Sequence, residues 1–162
     1  MLFRSVALLP RIKTRFGPND MRTLELMNTI AYTQEDLGNL DLAQDQYIAV
    51  VNQHAQQATR TSSEALARSN LAMLLVKRGM VDAATEQFHH VIVIAKEAIG
   101  EQHPLYAVML SNAATADIAA KRYDEARAKL NLAMPLLITS FGLEHVRVKT
   151  ARERLAQATR PR

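Results

Sequence analysis

Residues Ser62–Gly100 read SSEALARSNLAMLLVKRGMVDAATEQFHHVIVIAKEAIG, two amphipathic runs around a turn at Arg78-Gly79-Met80. In the second run Ala84, Phe88, Val91, Ala95 and Ile99 recur at intervals of three or four, which puts them on one helical face. In the first run Leu71, Leu74 and Leu75 do the same, while Asn70 and Lys77 point elsewhere. Glycine at the turn tolerates the positive φ that ends a helix. The stretch is a helical hairpin.

The hairpin repeats. Ala43, Ala84 and Ala126 open second helices at spacings of 41 and 42, and twelve residues before each stands Ala31, Ala72 or Ala114. Paired alanines at such positions let two backbones approach face to face. The turn column is Gly38, Gly79 and Lys121, and a further column runs Gly17, Ala58, Gly100 and Gly142 at 41, 42 and 42. Agreement of four columns on one period predicts a stack of like units.

Working outward, LLPRIKTRFG (8–17) parallels AMPLLITSFG (133–142), so residues 1–17 read as the second half of a hairpin. Full units occupy 19–58, 61–100 and 103–142, and a closing helix covers 145–160, with Leu155 and Ala156 in the register of Leu71 and Ala72. The expected architecture is a single all-α solenoid of antiparallel hairpins: three full repeats between two half-repeats, about eight helices. A chain that starts and stops mid-unit reads as a segment of a longer protein, with Met1–Ser5 not native and the closing Arg160-Pro161-Arg162 frayed. Pro10 and Pro135 fall inside helices and predict a bend in each, since each removes a backbone donor.

Composition narrows the function. The 162 residues suit one domain, and the absence of Cys excludes disulfides, thiolate metal sites and a cysteine nucleophile. It is compatible with a reducing compartment, and the expected location is cytoplasmic. No apolar run approaches the roughly 20 residues of a membrane span, and no leader pattern opens the chain. The net charge of +4 is uneven: residues 23–58 hold five acidic and no basic side chains, while the basic excess sits at the two ends. A nucleic-acid binder carries a basic stripe along its body, so nucleic acid is not the expected partner.

Asn70-Leu71-Ala72, Gly79, Ala84, Phe88 and His103-Pro104, together with Asn112-Ala113-Ala114 and RYDEA at 122–126, resemble the tetratricopeptide repeat in a long, kinesin-light-chain-like form. FGLEHVRVKTARERLA (141–156) is similar to the half-repeat that follows such arrays. The first unit departs most, with Thr29 where Asn is usual and Asp20 where His is usual. The resemblance covers nearly the whole chain. It implies a right-handed superhelix, a bacterial array of which this is a C-terminal piece, and a concave groove lined by first helices.

Carried over position by position, that groove takes Glu25, Asn28, Tyr32 and Glu35, then Leu66, Ser69, Asn70 and Met73, then Val108, Ser111, Asn112 and Thr115. The partner-binding set expected from these is Asn28, Tyr32, Glu35, Ser69, Asn70, Met73, Ser111, Asn112 and Thr115. A carboxamide both donates and accepts, so Asn70 and Asn112 suit the backbone of a peptide of any sequence; the competing role is to tie adjacent helices together. Asn28 and Val108 stand where the carboxylate-clamp subfamily has lysines, and Tyr32 replaces one of its asparagines, which argues against chaperone-tail recognition.

No enzyme is expected. His89 and His90 are adjacent on one helix and splay apart, and His54 and His145 have no carboxylate at ligand spacing. His103 and His145 precede helices and suit capping, as do Asp41, Asp82 and Asp124. No serine has a recognisable His/Asp partner and there is no phosphate-binding glycine loop. Arg147, Lys149, Arg152 and Arg154 read as a solvated helix face. The expected function is a non-catalytic scaffold that binds a protein or peptide without a cofactor, its oligomeric state open. The alternatives are a regulatory or sensory segment of a larger bacterial signalling protein, such as a kinase or regulator tail, and an RNA-binding helical repeat.

Overall fold

The computed structural model describes residues 2–159, with side chains from Ser5 onward. The expected end of the closing helix at 160, the terminal Arg160–Arg162 and the reading of Met1 lie outside the described residues. Within them are eight α-helices and no strand: α1 (Leu2–Phe16), α2 (Met21–Asp36), α3 (Leu40–Ala55), α4 (Ser62–Lys77), α5 (Val81–Ile99), α6 (Pro104–Ala119), α7 (Tyr123–Phe141) and α8 (Val146–Thr159).

The helices start by two different devices, and each device repeats. First helices are capped by side chains from one column: Asp20 accepts from Arg22 N–H, Thr61 from Glu64 N–H, and the Nδ1 atoms of His103 and His145 from Leu105 and Arg147 N–H. Second helices have no side-chain cap; Asn39, Met80 and Arg122 precede them and instead donate their N–H groups back to Gln34, Leu75 and Asp117 carbonyls. That bond closes the preceding helix as a Schellman turn, which needs a left-handed residue just before it. Gly79 supplies it at φ 75° and Lys121 does so at φ 61°, the one non-glycine residue with positive φ among those described.

The six paired alanines, Ala31 with Ala43, Ala72 with Ala84 and Ala114 with Ala126, are all fully buried, as the face-to-face reading requires. Larger side chains fill the space around them. One core joins α2 to α6 around Leu24, Tyr47, Leu74, Phe88 and Ile94, and a second joins α6 to α8 around Leu130, Leu137 and Val148. Helix α6 serves both, and so it is buried on nearly every side, from Ala107 to Asp117.

Contacts between helices give the stack its curvature. Each first helix touches the next (α2 with α4, α4 with α6, α6 with α8), whereas α3, α5 and α7 touch only first helices. The layer whose helices meet spans the shorter arc, so α2, α4, α6 and α8 lie on the inner side. Helices α1 and α7 run without interruption through Pro10 and Pro135. Pro135 is exposed, so its ring stands clear of the α7–α8 core.

Candidate functional site

The inner layer carries a column at one spacing: Asn28, Asn70, Asn112 and Arg154, each 42 residues after the last. The repeat sets them on successive first helices, and their polar ends meet. Asn70 Nδ2 donates to Asn28 Oδ1 at 3.3 Å, and Asn112 Nδ2 donates to the Ser69 hydroxyl at 3.3 Å. Arg154 Nη1 donates to Ser111 Oγ at 2.8 Å and to Asn112 Oδ1 at 3.2 Å. The column therefore links each hairpin to the next. It leaves the two N–H donors of Asn28 and the carbonyl of Asn70 without a protein partner.

Around this line the other expected positions separate into groups. Ser69 and Ser111 are buried, within the ladder. Met73 is half-buried and packs on the larger core, and Thr115 is half-buried with no hydrogen bond to its hydroxyl. Tyr32 is 53% exposed and Leu66 42% exposed, so both offer apolar surface beside the column. Glu35 accepts from the buried Tyr47 hydroxyl at 3.3 Å and lies 3.6 Å from Lys77 Nζ, which ties α2 to α3 and α4. Burial, and then the Glu35 charge, push the Tyr47 hydroxyl pKa upward, so it stays a proton donor.

The C-terminal end differs from the sequence-based expectation. Arg147, Lys149 and Arg152 are exposed as the solvated-face reading has it, but Arg154 is half-buried and faces α6. The signal was its place 42 residues after Asn112, hidden by the change of residue type. Two buried acids were also missed. Glu64 is 1% exposed and accepts from Arg60 and Arg68, and Asp117 is 5% exposed and accepts from Lys129 and Arg122. Both are charge hubs between helices, and neither lies beside a nucleophile.

Residues 63–139 match the tetratricopeptide repeat family. These residues are tetratricopeptide repeats. No curated protein matches the sequence significantly. Among solved structures, the nearly identical TPR-like repeats of a kinesin-light-chain-type protein from Podosopora anserina, in two crystal forms of the chain, superpose with TM-scores of 0.77 and 0.75. Each is 18% identical and covers 97% of this chain, which in turn spans 74% and 75% of theirs. BtubC (BKLC) of P. vanneervenii gives a TM-score of 0.79 at 18% identity, covering 97% of this chain and matched over 62% of its own. At that identity the likeness is one of fold.

Tetratricopeptide repeats as a class mediate contacts between proteins and are not catalysts. In this array the described residues include no cluster of three side chains able to hold a metal ion, and no helix long and apolar enough to cross a membrane. His89 and His90 are exposed, His54 is buried, and His103 and His145 cap helices.

Proposed function

We propose that this chain is a binding scaffold that receives an extended peptide or a protein segment along the inner face of α2, α4, α6 and α8. What supports the reading is the asparagine column: side chains that donate and accept recur at a fixed step on packed helices, with open valences at Asn28 and Asn70. Exposed Tyr32 and Leu66 flank them. Such a surface is already rigid, so the receptor loses little entropy on binding.

The test is a peptide-display selection with the whole chain, repeated with Asn70→Ala/Asn112→Ala. Each substitution also removes one inter-hairpin hydrogen bond, at a cost of about 1 kcal/mol. The double variant is therefore compared at a temperature where both forms are folded by circular dichroism. Captured peptides should lose at least about tenfold in affinity. Unchanged affinity in the folded double variant removes the inner face as the binding surface.

A further inference from the structure

Arg154 is the charged member of an otherwise neutral column, and the array treats it differently from its other inward cations. Within α2–α7 every half-buried cation meets a carboxylate: Arg68 with Glu64 at 3.1 Å, Arg122 and Lys129 with Asp117 at 3.3 and 2.6 Å, and Arg127 with Asp124. Arg154 has no such partner among the described residues. Its sequence neighbour Glu153 is exposed and acts on it only through space, while burial lowers the guanidinium pKa. Buried cations without a counter-charge are costly, and the usual remedy is an anion.

The local donors suggest which anion. Nη1 is occupied by Ser111 and Asn112, but Nε and Nη2 have no acceptor in the protein. Together they form the planar edge that matches a carboxylate through two parallel bonds. Arg154 lines a pocket of about 270 Å³ between α6 and α8, with Val108 and Val146 as apolar walls and Thr150 and Arg147 at its rim. Arg147 is exposed, stacks over Phe141 with its guanidinium carbon 4.8 Å from the ring centroid, and likewise has no acidic partner. The volume lies just below the roughly 300–1,000 Å³ of small-molecule and cofactor sites. It suits one or two side chains.

We infer that this pocket receives a carboxylate of the bound partner, gripped bidentately by Arg154 and attracted by Arg147. This rests on the inner-face reading and deepens it by naming the ligand chemistry at the α6–α8 end. The carboxylate belongs either to an internal Asp or Glu or to a chain terminus.

Arginine Nε–Hε signals of the ¹⁵N-labelled full chain report on the pocket directly, the Arg154 signal being identified by its loss in Arg154→Lys. The probes are N-acetylglutamate N-methylamide for an internal acid, N-acetylalanine for a terminal one and N-acetylglutamine N-methylamide as the neutral control. A carboxylate should shift the Arg154 signal saturably, at a dissociation constant in the millimolar range expected for one charge-assisted pair, and the neutral control should bind at least about tenfold more weakly. Whichever acid binds tighter names the source. Arg147→Gln, at an exposed position, should fold normally and weaken the same titration a few-fold. An Arg154 signal that neither acid moves, or that the neutral control moves equally, overturns the proposal.

The two readings fail separately. Selected peptides that depend on Asn70 and Asn112 but are indifferent to Arg154→Lys would end the pocket proposal and leave the inner face. Saturation at Arg154 with no peptide captured along the column would do the reverse. Should Arg154→Lys not fold, the wild-type titration and Arg147→Gln still decide.

Discussion

At the residue scale the charges and the buried histidine set the behaviour with pH. His54 is 2% exposed, and neither ring nitrogen completes a hydrogen bond. Burial lowers its pKa below the ordinary 6.5, and the nearby Glu64 only partly offsets this. The unfolded chain then binds a proton at a pH where the folded chain does not. Stability is thus full above the unfolded pKa and declines as pH falls through 6.5 toward the folded value. Urea unfolding between about pH 8 and pH 5 should show this decline, and His54→Leu should flatten it. An unchanged slope in the variant would assign the effect to another group. Glu64 is the second test. Removing its charge in Glu64→Gln leaves Arg68, whose side chain is 11% exposed, without its counter-ion, and should cost on the order of 3 kcal/mol in the same assay.

At the element scale the turns carry the predictions. Lys121 occupies the position that Gly38 and Gly79 fill in the other units, at φ 61°. A left-handed residue with a Cβ is strained by about 1–2 kcal/mol, so Lys121→Gly should raise stability by about 1 kcal/mol after the added chain entropy. The converse, Gly79→Ala, meets no atom within 4 Å of the new Cβ and so should cost only that backbone strain. Both are read from thermal melts. Pro135 denies α7 one donor in the middle of a continuous helix, and it is exposed. Pro135→Ala should therefore stabilise, by up to about 3 kcal/mol. A neutral or negative result would show that the ring shapes α7 in a way the α7–α8 core needs. Element identities and turn positions were legible because helical period and glycine placement are local properties. The capping roles of His103 and His145 were legible for the same reason.

At the scale of the whole molecule, stability is a sum over neighbouring hairpins rather than one global core. Helix α1 packs on α2 alone, whereas α4, α5 and α6 are each held from more than one side. Amide hydrogen exchange should therefore be slowest in α4 to α6 and fastest in α1. Phe88, 2% exposed at the centre of the larger core, should cost about 3–5 kcal/mol as Phe88→Ala, and the loss should spread through α2 to α6. Uniform exchange along the chain would contradict a nearest-neighbour array.

The amino-acid sequence alone determined the hairpin, its period and the all-α stack, because each unit states its own alternation and turn and then repeats them. The alanine pairs needed no structure either, since only a methyl fits where two backbones close up. The tertiary arrangement decided what lies between units. The repeat period placed Asn28, Asn70 and Asn112 in one column, but only the packed helices showed that their amides meet across hairpins. In the same way Arg154 carried a position in the register and a charge that pointed to solvent, and packing against α6 turned it inward. Contacts between side chains 42 residues apart depend on how far one unit is displaced against the next. That displacement is set by the summed shapes of two cores, and no local pattern encodes it.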